Sequence, residues 1–213
     1  MRALVMAKAP VPGRVKTRLG ATVGMEAAAA VAAAALLDTL AACRAAFDEC
    51  HLALEGDLRD AASASELGGA LRGWLVHPQC GSSLGERLAH AHADTAGPGA
   101  TVQVGMDTPQ LTAEDLLVVA DAADDGSAVL GPAPDGGWWV LALGDARAAA
   151  TLAGVPMSRP DTFVRTREAL VAAGQTVVPA RELRDVDTAA DADAVAAGLS
   201  SGHFLRAWSE VAS

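Results

Sequence analysis

Short apolar runs alternate with helical stretches along the whole chain, and this order constrains the fold more than any other feature. The runs typical of strands are Ala3–Ala7, His51–Leu54, Gly73–His77, Thr101–Gly105, Ala128–Leu130, Trp138–Leu143 and Thr176–Val178. The helical stretches are Met25–Ala46, Leu84–Thr95, Ala113–Ala123, Asp161–Ala173, Ala189–Gly198, His203–Val211 and, with an end left open by two glycines, Asp57–Ala70. Such alternation predicts an α/β fold with helices on both faces of a sheet, formed by one domain over residues 1–213.

Charge and composition exclude several classes of protein. The net charge is −10 and the pI is near 4.8, which argues against nucleic-acid binding. The alanine-rich run from Ala27 ends at Asp38, so we expect no membrane span, and the N-terminus is not typical of a signal peptide. The three cysteines have no metal-ligand spacing and predict reduced thiols of a cytoplasmic protein.

Positive charge is concentrated in the loop after the first predicted strand. The only two lysines of the chain, Lys8 and Lys16, lie in this loop together with Arg14 and Arg18, and no acidic residue separates them. Clustered cations at a strand end are typical of a polyphosphate site, although a solvated charged turn is the alternative. The loop is not a P-loop, because Val15 and not glycine precedes the second lysine.

Aspartates follow three other predicted strands. Asp107, Asp135 and Asp187 come after strand-like segments, and the carboxyl ends of strands in an open α/β sheet are where ligands bind. Cations that neutralise phosphates and carboxylates that hold bridging Mg²⁺ belong together in nucleotide enzymes. Each aspartate has an alternative role in a turn, and Asp187 could instead cap the next helix.

Small residues precede the predicted helix that begins at Leu84. They would allow a base or ribose to lie against the backbone, whereas helix capping is the alternative. His90 and His92 follow in the same helix. Because residues two apart face different ways, we expect surface histidines and not a metal pair.

Five ordered motifs resemble those of the DUF2064 family, bacterial proteins often described as A-family glycosyltransferases. The motifs are Ala7–Leu19, Leu84–Arg87, Gly105–Pro109, Gly131–Gly137 and Asp185–Thr188. The resemblance implies a GT-A (nucleotide-diphospho-sugar transferase, Rossmann-like) fold, which is a three-layer sandwich with a mixed, mostly parallel sheet. It relates the chain to molybdenum-cofactor nucleotidyltransferases and phospholactate guanylyltransferases.

The resemblance also implies roles for individual residues. Mg²⁺ or Mn²⁺ would be held by Asp107 and Asp187, joined by Asp135. It also implies that the N-terminal loop holds phosphates. The residues that we expect at the nucleotide are Ala7, Pro12, Gly13, Arg14, Lys16, Arg18, Gly85 and Arg87. Trp138 and Trp139 replace two tyrosines of the family, and 155–160 replace a Trp-Ser-Thr element, so this chain departs from the family where the acceptor would bind.

Nucleotidyl transfer is the function that we expect, with a nucleotide or sugar-nucleotide donor and a small-molecule acceptor. The three regularly spaced cations of the first loop, Arg14, Lys16 and Arg18, suit a triphosphate better than a diphosphate. The expected catalytic residues are Lys8, Lys16 and Asp107. Glycosyl transfer and a non-catalytic nucleotide-binding module are the alternatives. The final helical stretch predicts either a packed terminal helix or a homodimer contact.

Overall fold

The computed structural model describes residues 1–124 and 126–211. The strands of this part of the chain are β1 (Arg2–Lys8), β2 (Glu49–Glu55), β3 (Leu75–Pro78), β4 (Thr101–Val104), β5 (Ala128–Pro132), β6 (Trp138–Leu143) and β7 (Val177–Pro179). Its α-helices are α1 (Thr17–Val23), α2 (Met25–Ala46), α3 (Ala64–Ala70), α4 (Leu84–Asp94), α5 (Ala113–Asp124), α6 (Thr162–Ala172), α7 (Ala189–Ala196) and α8 (His203–Val211). All seven predicted strands are present, so the α/β prediction is confirmed.

The strands form one sheet in the order β3-β2-β1-β4-β6-β5-β7. β1 pairs in parallel with β2 and β4, whereas β6 is antiparallel to both of its neighbours. The carboxyl ends of the six other strands therefore lie at one edge, called here the carboxyl edge. The mixed, mostly parallel sheet of a GT-A-like fold is confirmed.

Two apolar layers cover the sheet, because side chains of a strand alternate between its faces. On one face Val5 packs in a core with residues of α2, α3 and α5. On the other, Leu4 packs in a second core with α4, α6 and a 3-10 helix at Ala146–Gly154. α1, α2, α7 and α8 share a third apolar cluster.

Local boundaries differ from the prediction in three places. The stretch 57–70 divides into a 3-10 turn at Leu58–Asp60 and α3. α1 begins inside the cationic segment that was predicted as loop, and the 3-10 helix at Ala146–Gly154 was not predicted. All of these elements are short, so tertiary contacts rather than a long periodic pattern decide their conformation.

α2 corrects the expectation that no apolar run is long enough to span a membrane. Its 22 residues are long and apolar enough by length and composition, but two thirds of its most apolar window is buried inside the fold. It packs against α5 and α8, as the core helix of a folded domain does.

The last helix is packed onto α2. The Asp38 carboxylate of α2 accepts hydrogen bonds from the backbone N–H groups of His203 and Phe204, which begin α8. Phe204 and Trp208 are buried in the third apolar cluster. The prediction of a packed terminal helix is confirmed.

Candidate active site

A cleft of about 470 Å³ opens at the carboxyl edge of the sheet. It lies beyond the ends of β1, β4 and β5, as expected for an open α/β sheet. An adjoining cleft of about 310 Å³ is lined by the cationic loop, and Lys8, Asp107 and Asp187 line both. The structure thus brings the cationic and acidic motifs to one place.

Lys16 joins these two motifs directly. Its Nζ lies 2.7 Å from Oδ2 of Asp107 and 2.6 Å from Oδ1 of Asp187. Burial alone would lower the pKa of Lys16, but the charges of the two carboxylates outweigh burial and hold the pKa above its ordinary value. The ammonium group is therefore charged and occupies the space between the two predicted metal ligands.

The backbone at Lys16 is strained. Its φ is +45° and its ψ is +44°, the left-handed conformation that costs a residue with a Cβ atom about 1–2 kcal/mol. On either side, Val15 and Leu19 are buried and anchor the segment to the core. Strain at a residue whose side chain reaches into a cleft is typical of functional sites.

Of the alternative roles of the aspartates, the structure excludes one and retains another. Thr188, and not Asp187, caps α7 in a capping box with Asp191, so the capping alternative for Asp187 is wrong. Asp135 does form a turn, since its Oδ1 accepts a hydrogen bond of 2.8 Å from the N–H of Gly137, yet it also lines the main cleft. A turn role and a ligand role are therefore compatible at Asp135.

Asp185 is a cleft carboxylate that the sequence analysis did not select. Its Oδ1 accepts a hydrogen bond of 2.6 Å from the hydroxyl of Thr108, beside Asp107. Burial, followed by the negative charge of Asp107, raises the pKa of Asp185 to about 8. Its position two residues before Asp187 and after an extended segment was the available signal.

The aspartates of the cleft are suitable ligands for a divalent cation whose remaining ligands would come from the substrate. Asp107, Asp135, Asp185 and Asp187 all line the main cleft, and oxygen donors are the ligands that Mg²⁺ and Mn²⁺ prefer. No three acidic, histidine or cysteine side chains of the described residues are close enough together to hold a metal by themselves. This agrees with Mg²⁺ sites in which one or two carboxylates act together with substrate phosphates.

A second charged cluster lies at the end of β2. The Glu55 carboxylate binds Lys8, at 3.2 Å, and Arg87 of α4. These three residues line the main cleft beside Ala7. Lys8 and Arg87 thus reach the predicted nucleotide site, but an acid that the sequence analysis did not select balances their charge.

The other residues that were predicted to bind the nucleotide lie in three different environments. Arg14 and Arg18 are exposed and line the adjoining cleft, with Arg18 at 4.0 Å from Asp187. Pro12 and Gly13 lie in the exposed turn before them. Gly85 instead packs against the 3-10 helix, because a Cβ atom there would lie 2.2 Å from the carbonyl oxygen of Leu152.

One part of the main cleft wall is apolar. Met6, Leu88, Trp138 and Met157 line it together with the buried side chain of Gln103. The sequence signal for Gln103 is a polar residue inside the apolar run of β4.

His92 corrects the prediction of two surface histidines. His90 is exposed, but His92 is fully buried on α4, and neither ring nitrogen bonds to any of the described residues. It lies four positions after Leu88 in the helix, so it is on the face of α4 that packs against the sheet.

Fold and cleft together define a GT-A-like α/β protein whose carboxyl edge combines a basic loop with four aspartates. The profile of the family "Uncharacterized protein conserved in bacteria (DUF2064)" matches residues 37–159. The chain belongs to the DUF2064 family. No curated protein matches it.

Three proteins are among the solved structures that share the fold. A protein of Desulfovibrio desulfuricans G20, described by inference as a nucleotide-diphospho-sugar transferase, has 27% identity and a TM-score of 0.81, over 98% of this chain and 94% of that one. Rv0371c of Mycobacterium tuberculosis H37Rv, in complex with manganese, has 21% identity and a TM-score of 0.52, over 91% and 96% of the chains. A nucleotidyl transferase of Methanothermobacter has 17% identity and a TM-score of 0.52, over 97% and 99%.

Proposed function

We propose that the protein is a divalent-metal-dependent nucleotidyltransferase. In this proposal it transfers a nucleoside monophosphate from a nucleoside triphosphate to a phosphate or carboxylate of a small acceptor, with release of pyrophosphate. The observation that carries the proposal is the contact of Lys16 with Asp107 and Asp187, which joins the basic loop to the acidic strand ends inside one cleft.

The cations are arranged for a long anion. Lys8, Arg14, Lys16 and Arg18 line the adjoining cleft, which meets the main cleft at the two aspartates. A sugar nucleotide has only a diphosphate, whose charge a bound metal largely neutralises. A triphosphate makes better use of four cations, with Arg14 and Arg18 on the leaving phosphates.

Lys16 has two roles in this proposal. Without substrate its ammonium balances the carboxylates of Asp107 and Asp187. A divalent cation bound by these carboxylates and by phosphate oxygens would neutralise charge at the α-phosphate. The ammonium of Lys16 then turns to phosphate oxygens, where it stabilises the charge that develops in the transition state.

The acceptor needs no general base if it attacks through an ionised oxygen. None of the described residues that line the main cleft is a histidine, which agrees with a phosphate or carboxylate as the attacking group. The manganese complex of Rv0371c supports metal use, and the Methanothermobacter nucleotidyl transferase supports the reaction class.

Product analysis tests the proposal. The purified protein is incubated with each of the four nucleoside triphosphates, Mg²⁺ or Mn²⁺, and a panel of small phosphates and carboxylates. We expect pyrophosphate release that requires both acceptor and metal. Lys16→Ala should lower the activity by about 10²–10³-fold. Arg147→Ala should leave it unchanged, because Arg147 follows the antiparallel strand β6 at the opposite edge of the sheet.

Glycosyl transfer is the second candidate, favoured by the similarity to the D. desulfuricans protein. The same incubation with sugar nucleotides distinguishes the two, because glycosyl transfer releases a nucleoside diphosphate or monophosphate and no pyrophosphate. Nucleotide binding without either product would indicate a non-catalytic module and contradict the proposal.

A further inference from the structure

The ammonium group of Lys16 lies where a divalent cation would bridge the two acidic motifs. Its Nζ is 2.7 Å from Oδ2 of Asp107 and 2.6 Å from Oδ1 of Asp187. Mg²⁺ binds carboxylate oxygens at about 2.0–2.1 Å, so a cation that bridged the same two oxygens would lie beside the ammonium. The repulsion between a single and a double positive charge at such a distance opposes this arrangement. The two carboxylates can therefore hold the ammonium or the divalent cation, but not both.

The position of Lys16 is fixed from both ends of its side chain. Its backbone is in the left-handed conformation, between the buried residues Val15 and Leu19. The side chain is only 11% exposed, and its Nζ is bound by two carboxylates. Because the pair is shielded from solvent, water and salt screen it less than they screen a surface ion pair. The contact therefore persists in the free protein and is not one of many surface rotamers.

The neighbouring cations are available to a polyanion while this contact is closed. Arg14 and Arg18 are exposed and line the adjoining cleft of about 310 Å³. The Arg18 side chain is 80% exposed, and its guanidinium lies 4.0 Å from Asp187. Phosphate groups can therefore bind at the basic loop before Lys16 moves.

Phosphate oxygens also supply what a divalent cation lacks in the free protein. Among the described residues, no group of three acidic, histidine or cysteine side chains could hold a metal ion. The missing ligands would come from phosphate, as is usual for Mg²⁺ in nucleotide sites. The same phosphate oxygens offer the ammonium of Lys16 new partners. Bound phosphate thus has two effects, since it draws the ammonium away and completes the ligands of the cation.

We propose that Lys16 is an internal counterion that keeps Asp107 and Asp187 closed to divalent cations until a triphosphate binds. The nucleotide then binds before the cation or together with it, and the excluded order is cation before nucleotide. This inference rests on the proposed function, since it takes the two aspartates as metal ligands. It goes further by assigning an order of binding and the residue that enforces it.

Mn²⁺ binding to the free protein tests the closed state without any nucleotide. Free Mn²⁺ is measured by electron paramagnetic resonance for the wild type, Lys16→Gln and Arg18→Gln. Both variants remove one positive charge near Asp187, but only the first removes the group between the carboxylates. Lys16→Gln should bind Mn²⁺ at least about tenfold more tightly than the wild type. Arg18→Gln should gain less than about threefold, because its exposed charge is screened.

The wild-type protein provides a second measurement that needs no folded variant. Lys8 and Lys16 are the only lysines of the chain, so ¹⁵N-labelled lysine gives two side-chain resonances in a nuclear magnetic resonance spectrum. The resonance of the better protected ammonium belongs to Lys16, and Lys16→Gln checks the assignment. Mg²⁺ alone should leave this resonance unchanged. Inorganic tripolyphosphate with a chelator present should shift it, because phosphate oxygens replace the carboxylates as its partners.

The outcomes separate the inference from the proposed function. Three results overturn the inference even if pyrophosphate is released: equal Mn²⁺ affinity of wild type and Lys16→Gln, equal gains in the two variants, or a Lys16 resonance that responds to Mg²⁺ and not to tripolyphosphate. A gain in Mn²⁺ affinity that is specific to Lys16→Gln, with a response to tripolyphosphate alone, supports it. That support holds even if no acceptor yields a product and the proposed function fails.

Discussion

The Nζ atom of Lys16 lies 2.6 Å from Oδ1 of Asp187, although 171 residues separate them in the sequence. The ion pair connects the loop after the first strand to the segment before α7. Because Asp107 binds the same ammonium, three distant motifs are held together before any ligand arrives. Electrostatic preorganisation of this kind is what catalysis of phosphoryl chemistry needs.

Lys16 can be tested for charge and for strain separately. Both Lys16→Ala and Lys16→Gly remove the ammonium, so each should lower nucleotidyl transfer by about 10²–10³-fold. Glycine adopts a φ of +45° without strain, so Lys16→Gly should be more stable than Lys16→Ala by about 1 kcal/mol. Urea unfolding and pyrophosphate release measure the two effects. Equal stability of the variants would contradict the strain, and full activity would contradict the charge role.

Metal and nucleotide should stabilise the protein together. Because carboxylates and phosphates share the cation, Mg²⁺ with a nucleoside triphosphate should raise the melting temperature more than the sum of their separate effects. Asp107→Asn and Asp187→Asn should each remove most of this coupling. Asp145→Asn is the control, since Asp145 lies after β6 at the opposite edge of the sheet. Additive shifts in the unmodified protein would count against a shared cation.

His92 should make stability depend on pH. Burial without a partner lowers the pKa of His92 from 6.5 to about 4, so the folded state favours the neutral ring. The stabilisation is complete above pH 6.5 and is lost as the pH falls toward 4, by up to about 3 kcal/mol. His92→Leu should lack this component. The difference between the two proteins in urea unfolding, from pH 7.5 to 4.5, isolates it from the carboxylates, and a constant difference would refute it.

Two glycines with positive φ should respond differently to alanine. Gly13 has a φ of +73° and open space around it, so Gly13→Ala should cost only the strain, about 1 kcal/mol. Gly136 has a φ of +87°, and a Cβ atom there would lie 2.0 Å from the carbonyl oxygen of Pro160. Gly136→Ala should therefore cost about 3 kcal/mol and disturb the loop that carries Asp135. Similar costs at both positions, by thermal or urea unfolding, would show that this close approach is not maintained.

Elements with a local signal could be predicted from the sequence. β1 and β6 are continuous apolar runs, and Thr188 begins α7 with the capping pattern that its sequence predicts. The aspartates after strands could be predicted as well, since topology brings strand ends to one edge.

Features that depend on distant contacts could not be predicted. Nothing near Lys16 in the sequence shows that its ammonium pairs with carboxylates from two other motifs. The burial of His92 follows from how α4 packs, and the same sequence periodicity is compatible with a surface position. The main cleft is lined by residues of α4 and β4 and by Met157 and Arg159, and no local pattern predicts that these segments meet.

Because β6 is antiparallel to its neighbours, two parts of the cleft come from separate segments of the chain and can change independently. β6 carries the chain from the cleft to the opposite edge of the sheet, and the segment that contains the 3-10 helix Ala146–Gly154 brings it back to the cleft at Met157 and Arg159. Part of the cleft wall is thus delivered by a separate excursion that shares no strand with the basic loop. Replacing that excursion would reshape this side of the cleft and leave Lys16 and Asp107 in place.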